Sequence, residues 1–150
     1  MENQISSSKN KLKIAVGIWG IIISVIGFFT FIYNIYAYWT GIKDLGLIQY
    51  FIYNFVAIGI ILSLVGISGS ILLLKNKKSG WILSLIYFAA QMFSLIVAGN
   101  LNFSINFWQG LYFQFTPSIS YSGNHIELGI NFTAIAAVWI LLYIKKEYIN

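Results

Sequence analysis

Cysteine is absent from this chain, and so is arginine; there is one proline, one histidine and only four acidic residues. Without cysteine there is no disulfide framework, no thiolate metal site, no thiol redox chemistry and no cysteine nucleophile. Without arginine the planar fork that grips phosphates and carboxylates in two places is missing, so no specific phosphate site is expected. Charge itself is scarce. Charged residues make up 9% of the chain, against about 25% in an ordinary soluble domain, which is too few to wet a soluble surface. With 59% apolar residues, the composition predicts an integral membrane protein of one domain, 1–150.

The nine positive charges are all lysine, and they punctuate long uncharged runs at 14–42, 45–74, 79–124 and 128–144. A helix needs about 20 apolar residues to cross some 30 Å of hydrocarbon. The predicted fold is therefore an all-α bundle of four transmembrane helices, at about 14–38, 47–74, 79–99 and 128–144. A long outer loop, 100–127, joins the last two. Lys9, Lys11 and Lys13 precede the first span, Lys75, Lys77 and Lys78 join the second to the third, and Lys145 and Lys146 follow the fourth. A four-span chain puts all eight on one side, whereas the opposite side has only Lys43, offset by Asp44. The positive-inside rule then places both termini in the cytoplasm, and the expected location is the plasma membrane. The first apolar run is longer than the core of a secretory signal and is followed by no small-residue cleavage pattern, so it is read as retained.

Tyr33, Tyr36, Tyr38 and Trp39 close the first span and Tyr50 and Tyr53 open the second, as rings that favour the headgroup level do. Asn34 and Asn54 fall at the same depth, near the outer interface. In the first span Gly17, Gly20, Ser24 and Gly27 recur at intervals of three and four residues; Gly59, Ser63, Gly66 and Ser70 do so in the second. Such spacing puts each set on one helix face, where small residues let backbones approach. The two stripes are expected to meet. Gly80, Ser84, Gln91 and Ala98 mark a face of the third span, and Asn131, Ala134, Val138 and Leu141 a face of the fourth. Gln91 and Asn131 reach similar depth. An amide in hydrocarbon needs a partner, so both are expected to hydrogen-bond within the bundle, either fixing helices or lining a permeation path.

The outer loop alternates. Leu101, Phe103, Ile105 and Phe107 interleave with polar residues, then Leu111, Phe113 and Phe115, then Ile126, Leu128 and Ile130. Period two marks a half-buried strand, Ser122-Gly123-Asn124 supplies turn chemistry, and Pro117 interrupts any continuous strand. The expectation is a small β-hairpin-like cap whose last strand ends near Leu128, since a longer one would shorten the fourth span. The rival is an interfacial amphipathic helix using Phe103, Phe107, Trp108 and Leu111.

No catalytic constellation is present. His125 and Glu127 share a strand face, but a zinc site needs three or four ligands; no metal and no cofactor are expected. Ionisable groups are missing from the middle of every span, which argues against proton coupling and voltage sensing. The expected function is non-enzymatic, through protein–protein contacts as a subunit, assembly factor or sensor. The alternative is a small oligomeric channel or uncoupled permeation unit. Expected partners are the lipid bilayer and either further copies or another membrane protein, with no nucleic acid.

Overall fold

The computed structural model describes residues 2–41, 47–98, 103–105, 114–121, 124–145 and 148, with side chains at 7–33, 36, 57–95, 115–120, 125–145 and 148. The chain is mostly helical with a small sheet. Helix α1 runs Glu2–Gly41 and α2 Leu47–Leu74; α3, Lys78–Ala90, and α4, Phe132–Tyr143, are much shorter. Five strands separate α3 from α4: β1 Phe93–Ala98, β2 Phe103–Ile105, β3 Gln114–Phe115, β4 Ser118–Tyr121 and β5 Asn124–Asn131.

Among the described helices, α1 and α2 alone are long and apolar enough to cross a membrane, over Ser7–Tyr33 and Ala57–Leu74. They pack along their small residues. Gly17, Gly20, Ser24 and Gly27 are all buried, as are Gly59, Ser63, Gly66 and Ser70. A methyl group on Gly20 would overlap the Ser70 hydroxyl, and one on Gly66 would overlap the Ser24 hydroxyl, so each helix sets a glycine against the other's serine. Gly59 lies against the outer end of the Phe31 ring. Two further glycines seat α3. Gly69 of α2 lies against Ser84 and Leu83, and Gly80 of α3 lies against the backbone of Leu72 and Leu73.

The third and fourth spans differ from the sequence expectation. Helix α3 stops at Ala90 and the chain continues as β1, so Ala98, expected on a helix face, lies in a strand. Strand β5 runs through Leu128 to Asn131, three residues beyond its expected end, and α4 begins only at Phe132. The sheet is thus larger than a cap and takes residues from both predicted spans. The reason is that a short apolar run reads equally as buried helix or strand. What decides Phe93–Ala98 is its partner, which lies some thirty residues downstream.

That pairing is antiparallel and runs from Phe93–Ile130 through Leu95–Leu128 to Ala98–His125. β2 lies on the other side of β1. The free edge of β5 is filled by β3 at Ile130 and Asn131 and by β4 from Asn124 to Glu127. Between these two strands the Leu128 N–H donates to the Pro117 carbonyl at 3.1 Å. Where the loop is described, its alternation is realised as strands; Leu101, Phe107, Leu111 and Phe113 lie outside the described residues. Phe103, the first residue of the rival helix, lies in β2; its Phe107, Trp108 and Leu111 lie outside the described residues.

One end of the molecule gathers the lysine-bearing segments. Lys13 Nζ donates to Asn76 Oδ1 at 2.6 Å, and Lys9 Nζ stands 5.4 Å from the centre of the Tyr143 ring. Asn76 follows α2 with a left-handed φ of 57°, a conformation that asparagine tolerates better than most residues. Carbonyls at helix ends lack intrahelical partners. Here the Trp81 indole N–H donates to the Leu141 carbonyl at 2.7 Å, and the Tyr148 hydroxyl donates to that of Leu73 at 3.4 Å. These bonds tie α4 to α3 and the residues after α4 to the end of α2.

Candidate functional site: the polar junction between helices and sheet

The two changes from helix to strand occur side by side. Gln91 ends α3, its N–H donating to the Phe88 carbonyl at 3.1 Å and that of Met92 to Ala89 at 3.2 Å. These i→i−3 bonds tighten the last turn and use up donors before the chain extends. Opposite, Asn131 ends β5 and caps α4. Its Oδ1 accepts from the Ala134 N–H at 3.1 Å and from the Thr133 hydroxyl at 2.8 Å, the usual arrangement of an asparagine N-cap. The Asn131 N–H donates to the Met92 carbonyl at 2.9 Å, which locks the two junctions together.

Gln91 and Asn131 are thus neighbours, and both side chains are almost fully buried, at 1% and 3% exposure. Gln91 Nε2 donates to the Tyr87 carbonyl at 3.5 Å. The Tyr87 side chain, itself fully buried, reaches both Gln91 and Ser24 of α1. Ser84 on α3 and Ser94 on β1 are buried on either side of Gln91 in the chain, and Ser63 and Ser70 are buried on α2. Ser63 donates to the Gly59 carbonyl four residues back, at 2.8 Å. Among the described residues the Ser70 and Ser84 hydroxyls have no hydrogen-bond partner. These polar groups are enclosed within one chain, and Phe88 and Ala134, beside Tyr87 and Asn131 in sequence, are buried with them.

Of the other residues singled out in the sequence, Asn34 lies in α1 and Asn54 in α2, with side chains outside the described residues. His125 and Glu127 do share a strand face: Nε2 of the imidazole is 3.0 Å from Oε1 of the carboxylate, and Nδ1 is 3.4 Å from the Ser120 hydroxyl. Ser120 and His125 are exposed and Glu127 is half-buried. Among the described residues no group of three or more His, Cys, Asp or Glu side chains is placed to hold a metal ion. Sequence reasoning missed Tyr87, which reads as one more aromatic in an apolar run. The signal was its spacing, three residues after Ser84 and four before Gln91, which puts it on the same helix face.

No family model matches the chain, and neither a curated protein nor a solved structure does.

Proposed function

We propose that this chain is a multi-pass membrane protein that crosses four times, with both termini in the cytoplasm at the plasma membrane, and works through protein–protein contacts and not through catalysis or permeation. The observation that carries this reading is where the polar and apolar side chains stand. Gln91, Asn131, Tyr87, Ser84 and Ser94 are buried inside a single copy, with the two amides hydrogen-bonded there. The outer surface presents Ile61, Phe29, Trp139 and Tyr143 instead. A pore assembled from several copies needs a polar stripe on its exterior, and here the amides that would have supplied one face inward. The meeting of three lysine-bearing segments at one end supports the common side of the termini.

The test is native mass spectrometry on protein extracted gently from its own membrane. A second protein at fixed stoichiometry is the expected result. A closed ring of this chain alone, with liposome flux that Gln91→Leu and Asn131→Leu abolish, would replace this reading by the channel.

A further inference from the structure

The register of the sheet sorts its side chains by face. Directly paired residues of an antiparallel sheet lie on the same side. Phe93 pairs with Ile130 and Ile130 with Phe115; Leu95 pairs with Leu128; Ile126 pairs with Ile119. These seven apolar side chains form one face. The opposite face carries Ser94, Gly129, Glu127, Ser118, His125 and Ser120, with Ile96 and Ala98 at the register positions of Glu127 and His125. The polar face is the inner one near the junctions, where Ser94 and Gly129 are buried. The apolar face is open at Phe93 and Phe115, each 57% exposed, Leu128, 52%, and Ile119, 68%, while Leu95, Ile126 and Ile130 are half-buried between them.

We infer that this open face is covered by lipid acyl chains, and that α3 with β1 and β5 with α4 are composite crossings, part helix and part strand. The inference rests on the membrane reading above and adds what the sheet contacts. Length requires it. Helix α3 has 13 residues and α4 has 12, so at 1.5 Å per residue they reach about 20 and 18 Å, short of the roughly 30 Å of hydrocarbon. The missing 10 to 12 Å or so is about three strand residues beyond α3 and about four before α4, at 3.4 Å each. Counted outward from the junctions, that is Phe93 to Leu95 on β1, and from Asn131 to Leu128 on β5. The next residues of β5 are Glu127, Ile126 and His125, so the first ionisable groups stand where the hydrocarbon would end.

The backbone of β5 is prepared for such a place. Irregular chain facing lipid is forbidden because nothing there satisfies its N–H and C=O groups. The inner part of β5 is paired on one side by β1 and on the other by β3 at Ile130 and Asn131, and Leu128 is closed by Pro117. The apolar face also follows directly from exposed helix surface, since Phe132 is 45% and Ile86 52% exposed.

The chain has no cysteine of its own, so single-cysteine variants report cleanly. Phe93→Cys, Leu128→Cys, Ile119→Cys, Ser120→Cys and, on α2, Ile61→Cys would be made in the full chain. Each would carry a fluorescent label in phosphatidylcholine vesicles with a nitroxide either near the headgroup or near the acyl methyl end. Access would be read separately with a membrane-impermeant maleimide. The expected result is several-fold stronger lipid quenching at positions 93 and 128 than at 120, with position 119 between them. Maleimide should react several-fold slower at 93 and 128 than at 120. Fast reaction without quenching at 93 and 128 would put the face in water and overturn the inference. Protection from maleimide without quenching would mean that a second copy or another protein covers it, which overturns it as well. Position 61 separates the two readings: if it too escapes quenching, the membrane reading fails and takes this inference with it.

Discussion

Two helical hairpins in this protein solve the same packing problem in different ways. The first, α1 and α2, is helix throughout, and its members touch along interlocked glycines and serines. The second begins and ends as helix but is strand in between, held by a ladder from Phe93–Ile130 to Ala98–His125. Both consist of strongly apolar chain. What differs is the period. Small residues every three or four positions give the first pair a helix face that backbones can approach. In the second, apolar and polar residues alternate from Ile119 and from Ile126 onward, which suits a pleated surface with two unlike faces.

The consequence is that the two hairpins should fail in different ways. The largest loss is expected where one is bolted to the other. Gly80→Ala forces a methyl group into the backbone of Leu72 and Leu73, which has no rotamer to yield, and should cost about 3 kcal/mol. Gly17→Ala meets only the end of the Leu74 side chain and should cost clearly less. Thermal unfolding in detergent compares the two, and equal losses would show that helix approach does not depend on what lies opposite. Next comes Trp81→Phe, which strips the Leu141 carbonyl of the indole N–H at the end of α4. A loss of roughly 1–2 kcal/mol is expected for a buried acceptor left unsatisfied.

At the junction itself, Asn131→Ala removes the α4 cap and should cost about 1 kcal/mol, while Asn131→Ser retains most of that stability because serine caps nearly as well. If the serine variant is as damaged as the alanine one, the amide has a role besides capping, and the contrast between the hairpins must be redrawn around it. The smallest effect is expected inside the first hairpin. Ser70 is buried with no partner for its hydroxyl among the described residues, so its value there is its size. Ser70→Ala should leave stability within about 0.5 kcal/mol or raise it slightly, since burying an unpaired hydroxyl is itself unfavourable. A marked loss in Ser70→Ala would mean that the hydroxyl is engaged in the folded protein.

How far these features were legible in the sequence follows the same division. The stripes of Gly17 to Gly27 and Gly59 to Ser70 were readable because a helix face is local, set by residues a turn apart. The bounds of α2 were readable because charge and aromatic residues flank an unbroken apolar run. Strands after Phe103 were announced by alternation, and the break at Pro117 by its missing N–H. β1 was not readable. Phe93–Ala98 continues an apolar run that begins in α3, and only pairing with a distant strand makes it extend.

The polar junction was half visible. Gln91 and Asn131 stand out as amides in apolar surroundings, and their similar distance from the flanking lysines predicted similar depth. Their roles were not visible, because ending α3 and capping α4 depend on where each helix stops. Composition, charge spacing and small-residue period thus determined by themselves the apolar character, the two long helices and the lysine-rich end. Those are properties of neighbouring residues, summed along the chain. The composite third and fourth segments, the open apolar face of the sheet and the enclosed polar cluster were decided only by tertiary structure. Each depends on hydrogen bonds and contacts between residues far apart in sequence, whose free energy exists only once the chain has brought them together.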